Sequence, residues 1–330
     1  MTADLDGQAP LLTTSGLSLS IGPRVLVKDL ELSLGPGERL AIVGSNGAGK
    51  STLLSVLAGL AEPSSGRVTR PGDPPGMVFQ DGAFWPHMSV EAHLAFVDRH
   101  DDGPWRERLL DEFDLQGLRT QRPESLSGGE RLRLGLARAL AGRPRWVLMD
   151  EPLAHLDRGV ALGVREILPG LLDELGAALV LVTHDADDVL LFGDRLLSLT
   201  GDGSWWQGSA RFALESPPTV ALAALSERGT LLSAQADSEG RADFGLGLVL
   251  DGLPPDRSIS AFLDEAGVRF TSGPDADVTG EYVAPDRRGG SWVRVGDRLV
   301  RVGQGHGRNK RGDEVGLRVD GRPRPLEMPS

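Results

Sequence analysis

The 330-residue chain contains no cysteine. That removes disulfides, thiolate zinc sites and cysteine nucleophiles together, and it fits a reducing compartment. Tyrosine occurs once, as Tyr282, and lysine only as Lys28, Lys50 and Lys310. No apolar run approaches the roughly 18 residues of a membrane helix; Ala177 to Val182 is among the longest. A membrane role must therefore be borrowed from another chain. The N-terminal MTADLDGQAP is acidic and has no apolar h-region, so no secretory leader is expected. Positive charge is outweighed, with 35 Lys+Arg against 47 Asp+Glu and a net charge of −12. Such a balance argues against nucleic acid as the main partner, because a phosphate backbone calls for a basic face. It leaves room for a nucleotide, since a phosphate pocket needs only a cation or two and some backbone N–H groups.

What is present is enough for a packed core, and the length suits two domains better than one. Residues 1–12 read as a flexible lead and 13–225 as one domain. From Leu17 to Leu34 apolar residues alternate around a Gly22-Pro23 turn. A short buried-strand run, Leu40 to Val43, leads into a glycine-rich loop and a helical stretch, Ser51 to Leu60. Residues 86–122 have helical spacing and suggest an insert. Helices over 132–140 and 160–175 then alternate with strands over 146–149 and 179–183, which implies a largely parallel sheet. Leu196 to Leu199 with Trp205 to Gln207 suggests a hairpin. The character changes near Ser226. Short apolar runs at 244–250, 268–271, 292–295, 299–302 and 315–319 follow, with a Gly296-Asp297 hairpin signal. Residues 226–330 are therefore expected to form a small barrel-like β domain.

Three segments carry chemistry. Gly44-Ser45-Asn46-Gly47-Ala48-Gly49-Lys50-Ser51 fits G-x-x-x-x-G-K-[ST], with a strand before it and a helix after it. Small residues let the backbone wrap phosphate oxygens with its N–H groups inward. Lys50 is placed to neutralise β/γ-phosphate charge, and Ser51 to offer a hydroxyl to Mg²⁺. Second, Trp146 to Met149 delivers Asp150 and Glu151 at the C-terminal end of a strand, where open α/β sheets bind ligands. Successive strand residues point to opposite sides, so Asp150 can hold Mg²⁺ while Glu151 reaches an attacking water. A strand ending in Asp-Glu is often only a solvated strand end; the phosphate loop upstream changes the reading. Third, Leu126-Ser127-Gly128-Gly129-Glu130 opens a helix and makes a second phosphate-binding terminus.

With these motifs the chain resembles the ATP-binding subunit of an ABC transporter over about residues 15–225. The resemblance includes the Walker A segment at 44–52, ending on Thr52, Gln80 in Val78-Phe79-Gln80-Asp81, the LSGGE signature and the Walker B strand. It continues with a D-loop, Ala154-His155-Leu156-Asp157, and a switch histidine in Val182-Thr183-His184-Asp185. It implies an α/β P-loop NTPase fold with a helical insert, binding ATP and Mg²⁺. It also implies that Gln80 senses the γ-phosphate and the metal. Ser127, Gly128 and Gly129 would hold the γ-phosphate of ATP bound by a second copy, Asp157 would lie at the dimer interface, and His184 would contact the γ-phosphate and the attacking water. With no pore of its own, the chain would sit in the cytoplasm on the inner face of the membrane, against a separate permease. The segment Gly82 to His87 resembles the surface where importer ATPases receive that permease, with Phe84 and Trp85 as exposed anchors; the alternative is that these two are core aromatics of the helical insert.

The chain departs from the family in places. Ile21 stands before Gly22 where an aromatic residue usually stacks on adenine, which predicts weaker discrimination between ATP and GTP. The D-loop has Ala-His-Leu-Asp where Ser-Ala-Leu-Asp is common, and the signature ends in Glu130 rather than Gln. His87, His93, His100, His155 and His306 read as surface or interface residues. The C-terminal region is weakly similar to the β-barrel extension of maltose, polyamine, sulfate and ferric-ion importers. Residues Gly312 to Val319 match its closing strand, while Ser260 to Glu265 lack the usual Arg-Pro-Glu. An importer ATPase is the leading reading, with an inorganic ion or a polyamine as solute. A non-transport ABC ATPase acting on a protein or nucleic-acid complex, and a module that closes on ATP without efficient hydrolysis, remain open. The intact Glu151 and His184 speak against the latter.

Overall fold

The computed structural model describes residues 9–79, 82–154, 156–215, 217–226 and 229–243, and beyond these the strands named below. The first elements are β1 (Leu12–Ile21), β2 (Arg24–Leu34), β3 (Arg39–Gly44), α1 (Lys50–Ala58), β4 (Ser65–Thr69) and β5 (Gly76–Val78). The insert supplies α2 (Val90–Val97) and α3 (Gly103–Glu112), and α4 (Gly128–Ala141) returns to the sheet. Then come β6 (Trp146–Asp150), α5 (Arg158–Leu175), β7 (Ala178–Val182), α6 (Ala186–Phe192), β8 (Arg195–Leu199), β9 (Trp205–Ser209) and α7 (Ala210–Glu215). The chain divides into two compact units, Met1–Arg211 and Phe212–Ser330. The change of composition near Ser226 is a different landmark from this division, because α8 (Val220–Ser226) falls in the second unit.

The first unit holds a six-stranded sheet in the order β5-β6-β7-β3-β8-β9. Its strands are parallel except β9, which forms the expected hairpin with β8. Strands covered on both faces read as continuous apolar runs, and β7, Ala-Leu-Val-Leu-Val, is buried throughout. Alternate residues serve two cores. Val147, Met149, Leu179 and Leu181 face Leu109, Leu136 and Leu168. Leu148, Val180, Val182, Leu40 and Ile42 face Leu53, Leu57 and the strands β1 and β2. A separate antiparallel sheet, β2-β1-β4, covers this second face. Its first strand begins at Leu12, and Leu11 and Leu12 are both buried, so the ordered fold reaches into the expected 1–12 lead.

In the second unit the described strands are all antiparallel. They are β10 (Gly229–Gln235), β11 (Ala242–Asp243), β12 (Val249–Leu250), β13 (Ser258–Asp264), β14 (Val268–Thr271), β15 (Val278–Pro285), β16 (Ser291–Val295), β17 (Arg298–Val302), β18 (Glu314–Val319) and β19 (Arg324–Pro325). They make sheets ordered β14-β18-β15-β16-β17, β10-β13-β19 and β11-β12. Val295 pairs with Arg298, while Gly296 and Asp297 of the expected hairpin lie outside the described residues. His306, Gly312 and Asp313 do so as well, and Glu314 to Val319 become β18.

Candidate active site

The phosphate loop joins β3 to α1. Gly44 has φ 152° and Gly49 φ 99°, values that favour glycine. A Cβ on Gly44 would lie 2.4 Å from the Leu199 carbonyl oxygen, and one on Gly49 would lie 3.0 Å from Leu26 Cβ. Strands β2 and β8 therefore press the loop from behind. Lys50 is the first residue of α1, one earlier than the sequence placed it, and it is buried. Its Nζ folds back over the loop and donates to the carbonyls of Gly44 at 2.9 Å and Ser45 at 3.2 Å. In the next helical position, the Ser51 hydroxyl lies near the Asp150 carboxylate. Burial raises the Asp150 pKa above its ordinary value, with Glu151 adding to the rise and the Ser51 hydroxyl and Lys50 opposing it. Two hard oxygen ligands side by side fit Mg²⁺, which takes few protein ligands and fills its shell with water and phosphate oxygens.

Glu151 continues the β6 ladder, its N–H bonding Val182 O at 2.9 Å, yet its φ is +46°. A non-glycine residue in this region is strained, and such strain gathers at functional positions. The turn swings the carboxylate between two partners. Oε1 lies 4.0 Å from Lys50 Nζ, and Oε2 lies 3.4 Å from His184 Nδ1. The expected base, switch histidine and phosphate lysine thus meet at one place. The His184 side chain is 62% exposed, open to a ligand rather than packed.

The signature segment caps α4. Ser127 N donates to Glu130 Oε2 at 2.7 Å, and Glu130 N donates to Ser127 Oγ at 3.3 Å. This capping box accounts for Glu130, because Glu and Gln serve equally at that position. The Ser127 contacts lower the Glu130 pKa. A Cβ on Gly129 would lie 3.3 Å from Val160 in the first turn of α5, whereas one on Gly128 would meet open space. Asp157 caps α5 without a side-chain bond and is exposed. Gln80 and His155 lie outside the described residues. Phe79 and Gly82, on either side of the undescribed pair 80–81, line a cleft of about 350 Å³ with Gly128, Arg131 and Glu151.

Two expectations are corrected. Phe84 and Trp85 are half-buried rather than exposed. The cause is Arg138 of α4, whose guanidinium lies 4.9 Å from the Phe84 ring centre and 5.5 Å from that of Trp85. It also donates to the carbonyls of Ala83 at 2.7 Å and Gly82 at 2.8 Å. Arg138 is 6% exposed and burial lowers its pKa. Second, His93 is fully buried rather than on the surface. Its Nε2 accepts from Trp85 N at 3.1 Å, so Nδ1 carries the proton toward Ser89 O at 2.8 Å. Burial lowers its pKa, and Arg138 and His87 add to the effect. His87 and His100 are exposed, and Ile21 is 62% exposed at the end of β1. Arg138 was legible only as one cation among the apolar residues of a helix face. Its partners lie more than fifty residues away in sequence.

A parallel sheet that brings a phosphate loop, a Ser–Asp oxygen pair and a Glu–His pair to one end defines a P-loop nucleotide hydrolase. The ABC transporter family profile matches residues 27–154. The Fe(3+) ions import ATP-binding protein FbpC of Pseudomonas fluorescens is 37% identical, over 70% of each chain. FbpC 3 of Rhodococcus jostii is 32% identical, over 94% of this chain and 97% of that one. Among solved structures, the ATP-binding cassette MJ0796, dimeric and bound to ADP and Pi in a post-hydrolysis state, aligns with TM-score 0.53 and 27% identity. It covers 61% of this chain and 99% of its own. The chain belongs to the ABC transporter ATP-binding family, among its import-type ATPases. Among the described residues no helix is long and apolar enough to cross a membrane.

Proposed function

We propose that two copies of the chain sandwich two ATP molecules and use their hydrolysis to drive a separate permease. The supporting observation is the meeting of Lys50, Glu151 and His184 at 4.0 Å and 3.4 Å beside the Ser51–Asp150 pair. In this reading Lys50 and the amides of residues 44–52, from Gly44 through Ser45, Asn46, Gly47, Ala48 and Gly49 to Ser51 and Thr52, hold the β- and γ-phosphates. Ser51 and Asp150 are the ligands for Mg²⁺, which would neutralise phosphate charge when bound. Gln80 is assigned to the same metal and to the γ-phosphate. Glu151 takes a proton from water as the water oxygen bonds the γ-phosphorus and the bond to the β,γ-bridging oxygen breaks. His184 orients that water and the γ-phosphate. The partner copy contributes Ser127, Gly128 and Gly129, with Asp157 at the contact between copies.

The permease contact is assigned to the patch at Phe84 and Trp85. Trp85 stacks edge-on at 4.7 Å with Phe96, which is exposed on α2. This contact would hold the chain on the inner face of the membrane. The full-length likeness to a ferric-ion import protein favours an inorganic ion as solute. The test is light scattering and ATP turnover on Glu151→Gln. Dimerisation with MgATP and a turnover loss of about a hundredfold or more, the scale of a lost general base, are expected. Turnover at the parent rate would refute the assignment of Glu151.

A further inference from the structure

The loop that carries His184 is held by a side chain outside every motif named above. Arg165, two turns into α5, donates through Nε to Asp188 Oδ1 at 2.8 Å and pairs with Asp185 Oδ2 at 3.0 Å. Asp188 is 3% exposed, and its second oxygen accepts from Thr183 Oγ1 at 3.1 Å. Thr183 Oγ1 in turn accepts from Asp185 N at 3.1 Å. Asp185 Oδ1 caps α6 by accepting from Asp187 N and Asp188 N. The residues on both sides of His184 are thus tied, through two carboxylates, to one guanidinium.

Helix α5 has a weak point beside that guanidinium. Pro169 lies inside it and has no N–H to donate to the carbonyl of Arg165, four residues back. Beyond this break, Arg39 grips Pro169 O at 3.2 Å and Asp173 at 2.5 Å, while Leu168, Leu171 and Leu172 are buried in the core. Before it, the helix contains Gly159 and Gly163, both facing open space and both weak helix formers. Its first turn touches the signature at Gly129 through Val160 and follows directly on Asp157.

We propose that Arg165 is a positioning residue for His184, transmitting the set of the Asp157–Val160 turn of α5 to the switch histidine. The proposal rests on the role given to His184 above. Occupation of the signature and Asp157 faces by the second copy shifts the first half of α5, and Arg165 carries that shift to the Thr183–Asp185 loop.

The test uses the full-length chain with Arg165→Lys, which keeps the charge but cannot make the forked contact. A second variant, Arg165→Met with Asp188→Leu, removes both charges so that none is left buried alone. Each is made alone and with His184→Ala. Turnover, MgATP affinity and the ¹H–¹⁵N imidazole signals of His184 are measured. We expect kcat to fall about 10- to 100-fold, the scale of a misplaced catalytic group, with MgATP affinity unchanged. No further loss is expected in the His184→Ala background, and the His184 signals shift while those of His93 stay. Equal losses in both backgrounds, or unmoved His184 signals, would overturn the proposal. If His184→Ala keeps the parent kcat while Arg165→Lys still moves its signals, the positioning stands and the role assigned to His184 falls.

Discussion

Two glycines of the nucleotide site separate fold from function. Gly44 sits at φ 152° with its Cβ position 2.4 Å from the Leu199 carbonyl oxygen. Gly44→Ala therefore adds backbone strain of about 1–3 kcal/mol. It also drives β3 from β8 where Gly44 pairs with Leu199, at about 1 kcal/mol for each ladder bond lost. The total is about 2–5 kcal/mol, a large share of the roughly 5–15 kcal/mol that holds a domain together. At about 2–4 °C per kcal/mol for a unit of this size, the melting temperature falls by about 4–20 °C. Gly128→Ala is the contrast. Its Cβ meets nothing within 4 Å, and alanine improves on glycine in a helix by about 1 kcal/mol. Its melting temperature stays level or rises, yet the added methyl would occupy the face that the proposed function assigns to the other copy's ATP. Thermal melting is paired with light scattering and ATP turnover. Gly128→Ala is expected to melt like the parent and to lose ATP-driven dimerisation, with turnover down about tenfold or more. Equal destabilisation by the two substitutions, or full dimerisation by Gly128→Ala, would refute the reasoning.

Further outcomes are expected elsewhere. Ser127→Ala should lose the α4 cap and about 1 kcal/mol of stability, whereas Glu130→Gln should leave melting unchanged because glutamine can close the same box. Chemical denaturation of both variants measures the difference. His93 has its pKa lowered by burial below the unfolded value of about 6.5. The folded state then binds fewer protons, so its stability is full above that value and declines as pH falls below it. Melting followed from pH 7.5 to 5.5 should show this decline, and His93→Gln should flatten it. Ile21→Tyr should tighten ATP binding and favour ATP over GTP, as measured by nucleotide titration. Unchanged affinity for both would count against the stacking argument.

The phosphate chemistry was legible in the sequence because it restricts residue types locally. The φ of 152° at Gly44 favours glycine, and the Asp150-Glu151 pair closes a short apolar strand that can be read on its own. Buried runs such as Val147 to Met149 announced the parallel sheet for the same local reason. The Arg165 network was hidden, since the depth of Asp188 depends on a helix twenty residues upstream. His93 misled because an isolated histidine carries no sign of the Trp85 amide that it accepts. Strand β4 is almost wholly exposed and shows no alternation to read. In the second unit β14, β16, β17 and β18 stood out as apolar runs. Strand β10 has adjacent leucines followed by Ser-Ala-Gln, and β15 is interrupted by Gly280, so neither showed a period of two.

The grip of Arg138 on the Gly82 and Ala83 carbonyls makes α4 a lever. Eleven residues separate Ser127 from Arg138, which is about 16 Å along a helix. One end carries the signature and the other holds the loop of half-buried aromatics. A tilt of about 5° at the Arg138 end swings the Ser127 end through about 1.4 Å, enough to make or break a hydrogen bond to a phosphate. If the proposed permease contact falls on Phe84 and Trp85, a small push there would reach Ser127 through Arg138 and the rigid length of α4.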